Sequence, residues 1–524
     1  MAFLRLKRGR DMERLYRKQN NILEYIENAA QRYPENTAFR DDRTQVTYAE
    51  LLQKARKIGY QIAAKGVGVR RPIVVFMDKC VECLVSFFGV AASGNFYVCI
   101  DTGMPPERIR KILGNLRPAA VLGRGIEDGE VFGSCQVLDY EGLLGSEAKE
   151  AELSVCLQEI RRSMIDADPL YLLYTSGSTG IPKGSVISHR SVIDYAEWVS
   201  QTFHFDETTV FGSQTPFYFS MSVLDIFTTI RNGAALQIVP KKLFSFPIKL
   251  LEYLKEKKVN AIYWVPSALS IVADWSAFDY AEAPSLRTIL FAGEAMPTRQ
   301  FNIWRTHLPD AVYANLFGPT EITDIGLYYI VDRDFGDEEP IPIGHPCENM
   351  DAFAITDEGE LIKEGEIGEL YFRGSFVGHG YYNSKEQTEE VFVQNPLNQA
   401  YKETVYRTGD LVKVNGYGEY VYVGRKDAQV KHMGYRIELG EIESVASAFE
   451  KLERAVCFFH PQRDHIVLIY QGDAKKEEIL SYVKERLPSY MVPDEILKLR
   501  LLPLNANGKI DRKLLEKTYL QEGR

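Results

Sequence analysis

The stretch YLLYTSGSTGIPKGSVISH, Tyr171 to His189, sets an apolar run directly before a loop of small residues and one lysine. Residues 170–174 read as a buried strand, and the segment TSGSTGIPKGS that follows cannot pack a core. Gly177, Gly180 and Gly184 open backbone conformations closed to other residues and let a ligand approach the main chain. Thr175, Ser176, Ser178 and Thr179 offer hydroxyls, successive backbone N–H groups in such a loop can form an anion nest, and Lys183 adds a point charge. The combination suits a polyphosphate. It is not a Walker loop, because Pro182 stands where the second glycine of that pattern belongs. Taken alone, the stretch also fits a surface loop with no ligand.

The surrounding chain of 524 residues is too long for one ordinary domain. From about Asn20, helical periodicity alternates with short apolar runs, the pattern of an α/β fold. VTYAELLQKARKIGYQIAAKG reads as a helix stopped by Gly66 and RPIVVFM as the next strand. From about Ile341 the texture changes to short alternating strands with glycine turns, which predicts a β-rich, barrel-like subdomain. After Asp427 a further unit begins, in which KKEEILSYVKERLP places Ile479, Leu480, Val483 and Leu487 on one helical face. The expected division is an N-terminal extension over 1–19, a large domain of stacked mixed sheets and helices over 20–426, and a small mobile α+β domain over 427–524.

A net charge of −10, from 62 basic and 72 acidic residues, argues against a broad nucleic-acid face. Seven cysteines at irregular spacing do not make a disulfide framework, and the lone CxxC of Cys80 and Cys83 reads as small residues on the buried side of a helix. The apolar-looking run 83–100 is broken by Ser93, Gly94 and Asn95 and reads as helix, turn and strand rather than a membrane span. The basic start is not followed by a stretch of signal-peptide length. The expectation is a cytoplasmic monomer without nucleic-acid or membrane partners.

Further motifs carry a resemblance. VTYAEL at 46–51, GNFYVCID at 94–101, YTSGSTGIPKG at 174–184, NLFGPTE at 315–321, GELYFRG, YRTGDL, GRKDAQVKHMGYRIELGEIE and LPLNANGKIDR at 502–512 stand in the order of the adenylate-forming superfamily. That group includes acyl- and aryl-CoA synthetases, luciferases and nonribosomal peptide adenylation domains. GYRIELGEIE and NGKIDR resemble amino-acid adenylation enzymes, and the compact length resembles a stand-alone enzyme of the D-alanine–carrier protein ligase type. The resemblance implies two half-reactions. A carboxylate attacks the α-phosphate of ATP to give an acyl-adenylate and pyrophosphate, and a thiol then takes the acyl group and releases AMP. The implied acceptor is the phosphopantetheine arm of a separate carrier protein, with CoA as the alternative; a non-catalytic nucleotide-binding protein is the remote one.

On that resemblance, Thr175, Ser176, Gly177, Ser178, Thr179, Gly180 and Lys183 hold the phosphates, with Thr175 and Lys183 catalytic. Glu321, with Thr179 and Thr320, holds Mg²⁺ and the α-phosphate; a carboxylate is the hard oxygen ligand magnesium prefers. Gly293, Glu294, Leu316, Gly318, Pro319 and Tyr422 line the nucleotide site, Phe317 stacks on adenine, and Asn315 reads its edge through its amide. Asp410 accepts from the ribose hydroxyls, and Arg425 reaches the ribose or phosphate. Lys509 is the implied catalytic lysine and Asp427 the hinge, with the strand around 429–434 replacing Lys509 for thiol transfer. His432 and Met433 depart from the usual basic or branched pair.

The acid pocket implied by the resemblance comprises Phe219, Ser220, Met221, Leu224, Tyr263, Leu290, Ala292, Leu316, Asp324 and Ile325. α-Amino-acid enzymes carry an aspartate where this chain has Ser220. A carboxylate hydrogen bond to ammonium contributes about 1.5–3 kcal/mol and a neutral one about half that, so Ser220 is a weak substitute. Asp324 is the candidate replacement, meeting a β-amino or side-chain amine. A hydroxy or aryl acid, with Asp324 bonded to Tyr263 or a water, is the alternative.

Overall fold

The computed structural model describes residues 19–126, 131–176, 182–426, 429–460, 463–503 and 510–521. Two sheets carry the bulk of the chain. One has six strands, in the order Val137–Asp139, Ala120–Gly123, Pro72–Phe76, Phe96–Ile100, Pro169–Thr175 and Lys183–Ser188. Its first five strands are parallel and the last pair is antiparallel. The other has nine strands, parallel through the middle and antiparallel at both ends. Its centre comprises Val210–Ser213, Ala261–Trp264, Thr288–Phe291 and Val312–Phe317. Central parallel strands are covered on both faces and so read as unbroken apolar runs; Phe96–Ile100 and Ala261–Trp264 are buried at every position. One hydrophobic core joins the two sheets.

Local chemistry sets the elements. Helix Tyr48–Ala64 starts at a capping box, with Thr47 bonded to the Glu50 N–H and Glu50 reaching back, and stops before Gly66 at φ +72°. The run expected as helix, turn and strand is helix Val81–Ala92 followed by strand Phe96–Ile100. Cys83 is buried on that helix, as expected. Cys80 is not on its buried side: it occupies the N-cap and is half-buried, because the helix starts one residue later. All seven cysteines are free.

The β-rich texture becomes a five-stranded antiparallel sheet that includes Ile367–Gly374, Thr404–Val414 and Tyr420–Arg425. Next comes a hairpin, Gln429–His432 with Tyr435–Glu438, and then a three-stranded sheet flanked by helices Leu439–Ser447, Lys476–Lys484 and Arg512–Gln521. This last unit has its own two apolar clusters. Ile479, Val483 and Leu487 are buried in one of them, while Leu480 is only half-buried. No helix among the described residues is long and apolar enough to cross a membrane.

Candidate active site

Strand Pro169–Thr175 ends at the quoted loop, and its antiparallel partner brings Lys183 back opposite Thr175. Gly177, Ser178, Thr179 and Gly180 lie outside the described residues, as do Asp427 and Lys509. Ser176 is buried, and its hydroxyl donates to the Arg436 carbonyl at 2.8 Å and accepts from the Glu438 N–H at 3.1 Å. The C-terminal hairpin is thus fastened onto the end of the loop strand. Lys183 Nζ stands 5.5 Å from the centre of the Tyr381 ring.

Strand Val312–Phe317 feeds a tight turn through Gly318, Pro319 and Thr320 to Asp324. A Cβ on Gly318 would lie 2.2 Å from the Asp324 carbonyl oxygen, so the turn closes only with glycine there. At Thr323 the backbone reaches φ +75° and ψ −62°, with the Asp324 N–H bonded to the Ile322 carbonyl at 2.9 Å. This is a strained γ-turn, costly for a β-branched residue. It is held from both sides, by Thr323 Oγ1 donating to the Phe376 carbonyl and by Tyr171 donating to the Thr323 carbonyl. The turn puts two carboxylates, Glu321 and Asp324, into separate buried settings.

Glu321 is 1% exposed; it accepts from Tyr381 Oη at 2.6 Å and from Arg436 Nη1 at 2.7 Å. Burial pushes its carboxyl up, but the Arg436 charge and the Tyr381 hydrogen bond hold it below the usual carboxylate range. Asp324, also 1% exposed, accepts at Oδ2 from Tyr195 Oη at 2.7 Å and Tyr263 Oη at 3.1 Å. Burial pushes it up to about 7, with Tyr195, Tyr263 and Ser220 pulling back. Asp410 and Arg425 face each other across paired strands and form a buried ion pair at 2.9 Å.

Two adjoining cavities open here. One is a slot lined by Gly293, Glu294, Leu316, Phe317, Ile341 and Tyr422 among others; the Phe317 and Tyr422 rings sit 5.9 Å apart. The second, about 750 Å³ including its mouth, is lined by Thr175, Ser176, Phe219, Ser220, Met221, Tyr263, Ala292, Gly318, Pro319, Thr320, Asp324, Ile325, Asp410 and Arg425. The two share Gly293 and Lys431.

Asn315 lines the slot; its amide nitrogen is committed to the Ile341 and Pro342 carbonyls, so its amide oxygen is the atom left to accept from a base edge. Other expectations shift. Leu224 and Leu290 are buried but do not line the acid-side cavity; Leu290 lies within strand Thr288–Phe291, whereas Ala292, which does line it, follows the strand's end. Leu316 belongs to the slot and not to the acid side. Glu294 serves as a backbone anchor, accepting from the Ser267 N–H at 2.9 Å and the Gly434 N–H at 2.6 Å.

Sequence reading missed four residues. Lys431 places Nζ 4.5 Å from the Phe317 ring, and burial lowers its pKa while Asp410 pulls it back up. Arg436 pairs with Glu321, Tyr381 bridges Glu321 and Lys183, and Tyr195 holds Asp324. Lys431 and Arg436 stand in the quoted motif QVKHMGYRIEL, whereas Tyr195 carries no signal beyond helical periodicity. The seam between the C-terminal unit and the rest is closed by stacked Tyr435 and Tyr490 against Phe219, and by the buried ion pair of Arg108 with Glu441.

A family profile described as AMP-binding enzyme matches residues 26–382. Among curated relatives, Gramicidin S synthase 2 of Aneurinibacillus migulanus is 32% identical over 506 residues, covering 95% of this chain and 11% of that protein. The chain therefore spans about a tenth of the length of the relatives it first matches. Among solved structures, holo-PA1221, an NRPS protein containing adenylation and PCP domains, gives a TM-score of 0.82 at 21% identity, over 95% of this chain and 84% of that one. The o-succinylbenzoate CoA synthetase MenE of Bacillus subtilis gives 0.81 at 20% identity, over 95% and 98%. The likeness to both structures is one of fold. Since the matched span takes in the small-residue loop, the strained turn and both carboxylates, the chain belongs to the AMP-binding enzyme family.

Proposed function

We propose that this chain couples a carboxylic acid to AMP at the expense of ATP and then passes the acyl group to the thiol of a carrier protein's phosphopantetheine arm. In the first step a carboxylate oxygen attacks the α-phosphorus and the bond to pyrophosphate breaks. In the second, the thiol sulfur attacks the acyl carbon, AMP departs and the thiol proton goes to solvent. The observation that carries this reading is the joining of the two cavities at Gly293 and Lys431, an aromatic-lined slot beside a pocket with its own buried acid.

The barrier to the first step is repulsion between a carboxylate and a polyanion, so positioned charge is what the site must supply. The slot lined by Phe317 and Tyr422 suits an adenine ring stacked on one aromatic face, and Asp410 suits the ribose hydroxyls. Lys183, opposite Thr175, suits the outer phosphates. Glu321 offers one ionised, buried carboxylate, and no group of three or more acidic, His or Cys ligands occurs among the described residues. That set fits Mg²⁺ held by one carboxylate together with phosphate oxygens and water. A bound Mg²⁺ supplies charge neutralisation. Thr179 and Lys509 keep the roles their motifs imply, metal contact and catalytic cation.

The docked hairpin fits the second step. Arg436 occupies Glu321, and Ser176 is tied to the hairpin backbone, so the groups the first step needs are engaged elsewhere. We place the pivot at Asp427, between a large unit over 20–426 and a small one over 427–524, and the reaction in the cytoplasm, where ATP is at hand. The test is ATP–pyrophosphate exchange over a panel of acids, followed by mass measurement of a holo-carrier protein and of CoA incubated with the enzyme. Acid-dependent exchange with acyl transfer to the carrier is expected. A product on CoA alone would replace the acceptor, and no exchange with any acid would overturn the reading.

A further inference from the structure

We propose that Asp324 anchors a protonated amine on the acid substrate, and that this amine lies beyond the α-carbon, making the substrate a short β- or γ-amino acid. The proposal rests on the adenylation reading above and names its substrate class.

Asp324 lines the acid-side cavity yet is 1% exposed. Its contacts are neutral hydroxyls, Tyr195 and Tyr263 both on Oδ2, with Ser220 close enough to lower its carboxyl. No Lys, Arg or His among the described residues contributes to its charge balance. A carboxylate withdrawn from water among Phe219, Met221, Ala292 and Ile325 is costly unless a cation meets it. The other acids of the two cavities are already satisfied: Asp410 faces Arg425, and Glu294 accepts two backbone N–H groups. A cation on the ligand would complete this balance. A neutral hydroxyl on the ligand would add a fourth neutral donor to an acid that already has three and leave the charge uncompensated.

Position sets the distance. Thr320 Oγ1 donates to Ser220 Oγ at 3.2 Å, and Ser220 in turn faces Asp324. Two polar contacts end to end reach at most roughly 6 Å from Thr320, which the adenylation reading sets beside the α-phosphate, to Asp324. Ser220, the nearer group, brings no charge. On that reading an amine on the α-carbon stays beside its own carboxylate, nearer to Ser220. Each carbon inserted between the two carries the amine closer to Asp324. The phenols of Tyr195 and Tyr263 fix the Asp324 carboxylate in place before the ligand arrives, which spares it reorganisation on binding.

The test uses pyrophosphate exchange on matched acids of two skeletons. The first set is butanoate with its 2-amino, 3-amino, 4-amino and 3-hydroxy derivatives; the second is 3-phenylpropanoate with its 2-amino, 3-amino and 3-hydroxy derivatives. On at least one skeleton the 3- or 4-amino acid should exceed the unsubstituted and hydroxy acids by about 30-fold or more in kcat/KM, the scale of a charged hydrogen bond. Asp324→Asn should cut that ratio at least about tenfold, and Tyr195→Phe should cut it by less. The ratio should also fall in the parent protein between about pH 8 and pH 6, because a protonated Asp324 no longer balances an ammonium, and stay flat in Asp324→Asn. Tyr195 and Tyr263 touch Asp324, Tyr171, Asp225 and Cys347 face it from further off, and Lys79 faces Asp225; the Asn variant separates their titration from that of Asp324. A best substrate that is α-amino, hydroxy or unsubstituted overturns the proposal, as does an Asn variant that lowers every acid alike. Exchange with no acid at all overturns the adenylation reading itself, and the proposal with it.

Discussion

Glu321 and Asp324 stand three residues apart on one turn, are equally buried, and carry the same functional group, yet their surroundings push them in opposite directions. Glu321 has an arginine and a phenol; Asp324 has two phenols and a serine. Burial alone would raise both. The largest difference between the two settings is a guanidinium, that of Arg436, delivered to Glu321 by the hairpin Gln429–His432 with Tyr435–Glu438. Burial therefore does not decide what a carboxylate can do; the cation it is given, or denied, does.

The largest effect that breaks this comparison is expected from Glu321→Gln. Removing the one ionised carboxylate at the phosphate end should lower pyrophosphate exchange by about 10²–10³-fold, the usual cost of losing a preorganised charge, and weaken the Mg²⁺ dependence measured by titration. Next, Arg436→Met leaves Glu321 buried without its cation. Its carboxyl should rise, and the hairpin should lose its seat, at a cost of about 3–5 kcal/mol for a stranded buried charge. Acyl transfer should slow more than exchange, and limited proteolysis near residue 427 should speed up. Equal slowing of both steps would disconnect the hairpin from the thiol step.

The two acids should also differ in sign with pH. The folded pKa of Glu321 is depressed, so its contribution to stability is full above the ordinary glutamate value and fades as pH falls through the lower folded value. The folded pKa of Asp324 is raised to about 7, so keeping it buried costs stability increasingly as pH climbs from about 4 to about 7. Without ligand, Asp324→Asn should therefore raise stability by roughly 1–3 kcal/mol at pH 8 and leave it unchanged near pH 4, read as Tm at both values. A lower Tm at pH 8 would mean that the hydrogen bonds outweigh the charge. The smallest effect is expected from Thr323→Gly. Relief of the strained turn, about 1–3 kcal/mol, should nearly offset the lost bond to Phe376 and the added chain freedom. Stability should stay within about 1 kcal/mol, while the amine preference sharpens the comparison by reporting whether Asp324 still points into the pocket.

The alternation of helix and strand was legible because buried parallel strands leave unbroken apolar runs such as FYVCI, and helices leave caps such as Thr47 with Glu50. The capping that starts helix Val81–Ala92 one residue after Cys80 was not, since no side-chain signal marks it. At the site, the resemblance named Glu321, Asp324, Asp410 and Arg425; the last three line the acid-side cavity, and Glu321 is buried against Arg436. It named Asn315 but not the atom that can act, because a motif gives a side chain's identity and not which of its atoms the neighbouring loop consumes. It missed Tyr195 because a helix 129 residues earlier supplies that phenol, and nothing local in the chain announces so distant a contact.

The seam between Arg108 and Glu441 joins residues 333 positions apart, both nearly sealed from water. Two opposite charges in a dry place resist small separations, because attraction weakens before hydration can take over. A partial opening of this seam would therefore cost attraction without regaining hydration, so the pair favours a closed seam over a half-open one.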